Sequence, residues 1–243
     1  LEAQQIIVAD GITKRFGNFV AVSAVDFRLG RNEAVGIVGP NGAGKTTLLN
    51  VLAGAYAPSS GTVQFDGKDV SRLDAASRAR LGVARSHQVP RPFSDMTVFE
   101  NVLTAAAMGG GRRGARAYDG SIDSLRLCGM LDIANRRAET LGLLDRKRLE
   151  LARALATDPK VLLLDEIGGG LTDAEADELV AIIRELRGRG IAIVWIEHIL
   201  HVLLKVVERL VCMDAGRVIA DGIPEVALAH PAVVEAYLGS GVT

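Results

Sequence analysis

Aromatic residues make up only 4% of the 243 residues, so the interior has to be built from Val, Leu, Ile and Ala. Cysteine is almost missing. Cys128 and Cys212 stand far apart with no other thiol beside them, which excludes a disulfide scaffold and a cysteine metal pattern. Two free thiols in a reducing compartment is the reading that remains. Charge of one sign is absent too: 28 Lys and Arg against 29 Asp and Glu leave a formal net charge of −1. Such a chain exerts no global pull on nucleic acid. No apolar run approaches the ~20 residues that cross a bilayer. The opening LEAQQIIVADGITKRF lacks a signal-peptide layout. The chain is therefore expected to be soluble by itself and to meet a membrane only through a partner. There is no internal repeat and no low-complexity linker.

What is present is a 49% hydrophobic, 23% charged composition, enough for a large core. One stretch stands out: Gly39-Pro40-Asn41-Gly42-Ala43-Gly44-Lys45-Thr46-Thr47 fits G-x-x-x-x-G-K-[ST]. It follows an apolar, β-branched segment, Glu33 to Val38, and leads into Thr47 to Ala53, which reads as a helix start. Strand, loop and helix in that order are the context a phosphate-binding loop requires. Backbone N–H groups must approach a triphosphate closely, so side chains are dispensed with at Gly39, Gly42 and Gly44. The helix start adds unpaired N–H groups and a positive dipole end. Lys45 is expected to reach the β- and γ-phosphates, and the Thr46 hydroxyl to ligate Mg²⁺.

The rest of the chain alternates strands and helices. Strands are predicted at 6–8, 19–29, 62–65, 191–196, 210–213 and 217–220, with a turn over Pro58-Ser59-Ser60-Gly61. Along 19–29, Val25, Phe27 and Leu29 fall on one face and Asp26 and Arg28 on the other. Helices are predicted at 74–80, 97–108, 122–131, 146–156, 174–187, 201–208 and about 231–238, and Gly109 to Gly114 reads as a solvated basic loop. Val161-Leu162-Leu163-Leu164 is a short apolar run that ends in Asp165-Glu166. It fits a central parallel strand covered on both faces, within a doubly wound α/β core. Of the two carboxylates, Asp165 can hold Mg²⁺ through its water shell and Glu166 can polarise a water for in-line attack on a γ-phosphate. No N-K-x-D tetrapeptide occurs, which disfavours a GTPase.

Taken together, these motifs resemble the nucleotide-binding ATPase subunit of an ABC transporter, from about Ile6 to Gly239. The resemblance implies an α/β fold: a RecA-like P-loop ATPase core with an antiparallel β subdomain near the N-terminus and an inserted helical subdomain. It divides the single ABC ATPase domain, 1–243, into 1–90 and 158–243 for the core with its β subdomain and 91–157 for the helical part. It implies ATP and Mg²⁺ as ligands. Phe16 takes the position that stacks on adenine, Gln88 that of the glutamine touching Mg²⁺ and the attacking water, and His198 that of the histidine contacting the γ-phosphate. Pro40, Asn41, Ala43 and Thr47 complete the nucleotide loop. Implied partners are a second ABC ATPase subunit and transmembrane permease subunits at the cytoplasmic face of the membrane, with no nucleic acid. A groove near Gln88 would receive a short helix from the permease. The run Ala152 to Lys160 and the ending Pro231 to Gly239 resemble the branched-chain (hydrophobic) amino acid uptake group. Urea- or amide-uptake and lipopolysaccharide-export ATPases share that pattern. Soluble, non-transport ABC ATPases usually carry two cassettes or a long coiled-coil insertion, and neither is here.

The chain departs from the family at its signature. Where L-S-G-G-Q or L-S-Y-G-Q is usual, it has Leu141-Gly142-Leu143-Leu144-Asp145. A hydroxyl is lost, bulk is added and a negative charge faces a negative ligand. Ile167 and Thr172 replace a usual Pro and a usual Asp or Asn. In this family one subunit's signature completes the other's ATP site. The expectation is a heterodimer in which this chain brings competent Lys45, Asp165 and Glu166 and its partner brings an intact signature.

Overall fold

The computed structural model describes residues 4–86 and 89–239. The chain starts with two long antiparallel strands, β1 (Gln5–Phe16) and β2 (Phe19–Gly30). In β2 the predicted alternation holds: Val25, Phe27 and Leu29 are buried and Asp26 is exposed. Next come β3 (Ala34–Val38), helix α1 (Lys45–Ala53), β4 (Ser60–Phe65) and the two-residue β5 (Lys68–Asp69). Ser60 and Gly61, read from sequence as a turn, are strand residues: Ser60 pairs with Thr13 of β1. Strands β2, β1, β4 and β5, in that order, form a four-stranded sheet.

Helix α2 (Ala75–Leu81), capped by the Asp74 side chain, leads into β6 (Val83–Arg85). Three helices follow: α3 (Val98–Met108), α4 (Ala115–Leu127) and α5 (Leu143–Leu155). Thr97 and Glu100 form a reciprocal capping box at the start of α3. Two of these helices differ from expectation. α4 begins at Ala115 and ends at Leu127, well short of 131. α5 begins at Leu143, three residues before the predicted Arg146.

The remaining elements are β7 (Val161–Asp165), α6 (Asp173–Gly188), β8 (Ala192–Ile196), α7 (Leu200–Leu203), β9 (Arg209–Asp214), β10 (Arg217–Gly222), α8 (Pro224–Leu228) and α9 (Pro231–Gly239). The helix predicted over 201–208 is a single turn, and α8 was not foreseen. The second sheet has six strands in the order β10-β9-β3-β8-β7-β6, all parallel except β10. Its central strands β3, β7 and β8 are buried at every residue, as strands covered on both faces must be. Their alternate side chains serve two separate cores. Val35, Ile37, Leu163 and Val194 join α1 and the antiparallel sheet; Val38, Leu164 and Trp195 join α3, α5 and α6. Trp195 is fully buried on β8, and its indole N–H has no hydrogen-bond partner among the described residues.

No helix among the described residues is long and apolar enough to cross a membrane.

Candidate functional site

The six-stranded sheet brings the C-terminal ends of β3, β8 and β7 side by side. In open α/β sheets such an edge is where ligands bind. Beyond Val38 the loop 39–44 turns sharply into α1. At Gly39 (φ +149°) any Cβ would overlap the Met213 carbonyl oxygen, and at Gly44 (φ +96°) a Cβ would sit 2.5 Å from the Ala21 carbonyl oxygen. Only glycine fits both. The loop is braced by the Ala43 N–H donating to Pro40 O at 3.2 Å and the Gly216 N–H donating to Ala43 O at 3.1 Å. Asn41, Gly42, Ala43, Gly44, Lys45, Thr46 and Thr47 line a cavity of about 240 Å³ together with Phe19, Ala21 and Glu166.

Lys45, the first residue of α1, is 6% exposed and folds back over the loop. Its Nζ donates to Gly39 O at 2.6 Å and Pro40 O at 2.9 Å. Burial pushes its pKa down, while the negative charges of Glu166 and Asp165 push it up. Thr46 Oγ1 donates to Asp165 Oδ1 at 3.4 Å. Asp165, the last residue of β7, is buried and its Oδ2 accepts from Arg85 Nη2 at 2.8 Å. Arg85 ends β6 and also donates to Asn50 of α1.

Glu166 adopts the left-handed conformation (φ +49°), uncommon for a residue with a side chain. Its N–H donates to Ile196 O at 2.9 Å, and its Oε1 lies 2.7 Å from His198 Nε2. The β7–β8 register, with Asp165 opposite Ile196, sets this pairing. The structure thus gathers Lys45, Thr46, Asp165, Glu166 and His198 at one sheet edge. Phe16 stands apart from the cavity lining. It faces Phe19 across the β1–β2 hairpin, packs edge-on to Tyr56 (centroids 5.3 Å) and lies 5.1 Å below the Lys14 ammonium. Gln88 lies outside the described residues.

Sequence reasoning passed over Phe19, Arg85, Glu197 and Lys147. Glu197, next to His198, is 2% exposed and accepts the Gly168 N–H at 2.9 Å and the His198 N–H at 3.1 Å. Lys147, on the buried stripe of α5 with Leu151 and Ala154, donates from Nζ to Ile167 O at 2.7 Å. A lysine on an apolar helical stripe was the available signal. At the start of α5, Gly142 is an N-cap with no side-chain hydrogen bond, Leu143 is 45% exposed, and Asp145 pairs with Arg148 at 3.6 Å.

The family model described as ABC transporter matches residues 22–168, and that described as branched-chain amino acid ATP-binding cassette transporter matches residues 217–243. The chain is 35% identical over 254 residues to the high-affinity branched-chain amino acid transport ATP-binding protein BraF of Pseudomonas aeruginosa, covering 98% of this chain and 99% of the relative. It is 36% identical over 252 residues to its counterpart LivG of Salmonella typhimurium, with the same coverage. It is also 32% identical over 234 residues to the lipopolysaccharide export system ATP-binding protein LptB of Haemophilus influenzae, covering 96% of this chain and 97% of the relative. A solved ADP conformation of an ATP-binding cassette superposes with a TM-score of 0.88 at 30% identity, covering 97% of this chain and 99% of that one. A nucleotide-free cassette gives 0.88 at 29%, covering 96% and 99%. The α/β architecture with its antiparallel subdomain and helical region is the ABC ATPase fold, and the chain belongs to the ABC transporter ATP-binding proteins of the branched-chain amino acid transport (LivG/BraF) family.

Proposed function

We propose that this chain binds and hydrolyses ATP as the ATP-binding subunit of a branched-chain amino acid importer, with Lys45, Thr46, Asp165, Glu166 and His198 as its working residues. The observation that carries the reading is the Glu166–His198 pair, 2.7 Å apart at the sheet edge that also bears Lys45. Loop N–H groups, the start of α1 and the Lys45 ammonium hold the β- and γ-phosphates. Glu166 orients the attacking water and takes its proton, and His198 holds the Glu166 carboxylate and faces the γ-phosphate. Thr46 and Asp165 offer oxygen donors 3.4 Å apart, the kind Mg²⁺ takes. Among the described residues no group of three His, Cys, Asp or Glu is placed to hold a metal ion by itself, so an ion held there would complete its shell with nucleotide oxygens and water. Mg²⁺ bound there supplies charge neutralisation at the phosphate oxygens. Gln88 is assigned to the same ion and to the attacking water, and an aromatic of the β1–β2 hairpin, Phe16 or Phe19, to adenine.

We further infer residues 91–157 as the inserted helical part and permease subunits as the route by which the chain sits at the cytoplasmic membrane face. The degenerate Leu141 to Asp145 stretch, with Leu143 exposed and an acidic first turn, favours pairing with a different cassette that supplies an intact signature. The test is phosphate release by the complex that the tagged chain brings out of solubilised membranes, with uptake of labelled leucine in cells as the transport readout. Glu166→Gln is expected to keep ATP binding and to lose turnover by at least about 100-fold. Unchanged turnover in that variant would overturn the assignment, and unimpaired leucine uptake in cells lacking the chain would overturn the solute.

A further inference from the structure

We propose that Glu197 is a positioning residue for ATP hydrolysis, acting with Lys147 to lock the loop behind Glu166 so that the Glu166–His198 pair is presented to the nucleotide. The proposal rests on the hydrolytic role of Glu166. It begins from a carboxylate that is 2% exposed and therefore must be compensated. Both of its oxygens are spent on main-chain N–H groups beside the site. Oε2 accepts from Gly168, two residues past Glu166, and Oε1 accepts from His198 itself.

The loop needs such restraint. Glu166 sits at φ +49°, a conformation that persists only where the surroundings over-determine it. Three consecutive residues are each tied down, two to the end of β8 and one to α5. The Glu166 N–H is bound to Ile196 at the end of β8, at 2.9 Å. The Ile167 carbonyl accepts from Lys147 of α5 at 2.7 Å. The Gly168 N–H is bound to Glu197 at 2.9 Å. Lys147 and Glu197 are both nearly fully buried, and the Glu197 charge favours the lysine's charged form against the cost of its burial. Neither residue lines the phosphate cavity, where Glu166 is the acidic member of the wall. Their effect on chemistry passes through the loop. Because α5 opens on the signature stretch, the same tie joins the surface meant for a partner's nucleotide to the base that serves this chain's own.

Glu197→Gln removes the charge and turns an amide NH₂ toward one of the two N–H donors. It is expected to lower kcat of the membrane-extracted complex by about 10- to 100-fold, the cost of misplacing a reacting group. The Kd for ATP is expected to stay within about threefold, because the loop 39–45 keeps its contacts. Glu197→Asp keeps the charge one methylene short and is expected to recover part of kcat; Lys147→Met is expected to move kcat the same way as Glu197→Gln. On the full-length chain alone, amide exchange at Gly168 and His198 is expected to speed up in Glu197→Gln while β3 amides stay protected. Unchanged kcat, unchanged exchange at Gly168, or a loss of ATP affinity in step with kcat would each overturn the proposal. A Glu166→Gln control that keeps full turnover would instead overturn the hydrolytic reading, and the exchange measurement would still decide whether the tether exists.

Discussion

Lys45→Met separates what the phosphate loop does for ATP from what it does for the fold. In the free chain the ammonium is 6% exposed and spends two hydrogen bonds on Gly39 and Pro40 carbonyls. Methionine keeps most of the stem, loses those two bonds and removes a buried charge whose desolvation is unfavourable. These opposing effects are expected to leave stability of the free chain within about 1 kcal/mol of wild type. Bound ATP has no such compensation: losing charge-assisted hydrogen bonds to phosphate costs about 1.5–3 kcal/mol, or roughly 10- to 150-fold in Kd. With ATP at about 100 times the wild-type Kd, ligand binding stabilises the wild type by about 2.7 kcal/mol, and a variant 100-fold weaker by only about 0.4 kcal/mol. For a chain of this size each kcal/mol moves Tm by about 2–4 °C. The ATP-dependent rise should therefore shrink from about 5–11 °C to about 1–2 °C, read by calorimetric melting with titration calorimetry for Kd. An undiminished ATP shift would refute the placement of Lys45 on the phosphates. A variant several kcal/mol less stable without ATP would refute the claim that its buried charge contributes little to the fold.

Arg85→Ala leaves the buried Asp165 carboxylate without its ion-pair partner. Stability in urea is expected to fall by about 3 kcal/mol, with Mg²⁺ and ATP restoring more of it than they add to wild type. Gly142→Ser, Leu144→Gly and Asp145→Gln combined are expected to raise phosphate release by a homodimer of this chain by about tenfold or more; turnover that stays where it was would count against asymmetric pairing. Both cysteines are buried, and burial lifts the Cys212 thiol to about 11 and Cys128 higher still. The reactive thiolate is thus scarce at neutral pH. Ellman's reagent is expected to titrate neither thiol in the native chain at pH 8 and both in guanidinium; rapid native labelling would show that the interior opens.

The parts of the site that are legible from sequence are those carried by contiguous residues. The phosphate loop, Asp165-Glu166 and the apolar runs of β3, β7 and β8 each announce themselves within a few positions. The ties between distant residues do not. Arg85 and Asp165 are 80 positions apart, and Glu197 and Gly168 are 29 apart. Only the order of strands in the sheet brings them together. The start of α4 is hidden for a different reason. Its buried face includes Ala117, Ser121, Ser124 and Leu125, and both serine hydroxyls satisfy themselves on carbonyls one turn back, Ala117 and Gly120, at 2.7 Å each. A hydroxyl spent in this way packs like an apolar group and leaves no apolar period to read. Over 201–208 the error runs the other way. Val202, Leu203, Val206 and Val207 are buried at helical spacing, yet α7 ends at Leu203. The first turn of α5 falls within the Leu141 to Asp145 stretch that aligns with the family signature, where an amphipathic period starts only at Arg146, and Asp145 suits the positive end of the helix.

Trp195 is the chain's one tryptophan, and it lies fully buried on β8, three residues before His198. It packs in the apolar core against α3, α5 and α6, and its indole N–H meets no acceptor among the described residues. The protein therefore carries a built-in optical gauge on the strand that leads to the Glu166–His198 pair. Every photon of tryptophan emission comes from one address, with no second indole to subtract. Any change that nucleotide brings to that strand would be read on rapid mixing in the unlabelled, unaltered protein. The scarcity of aromatics that first marks this sequence makes its single indole a clean signal.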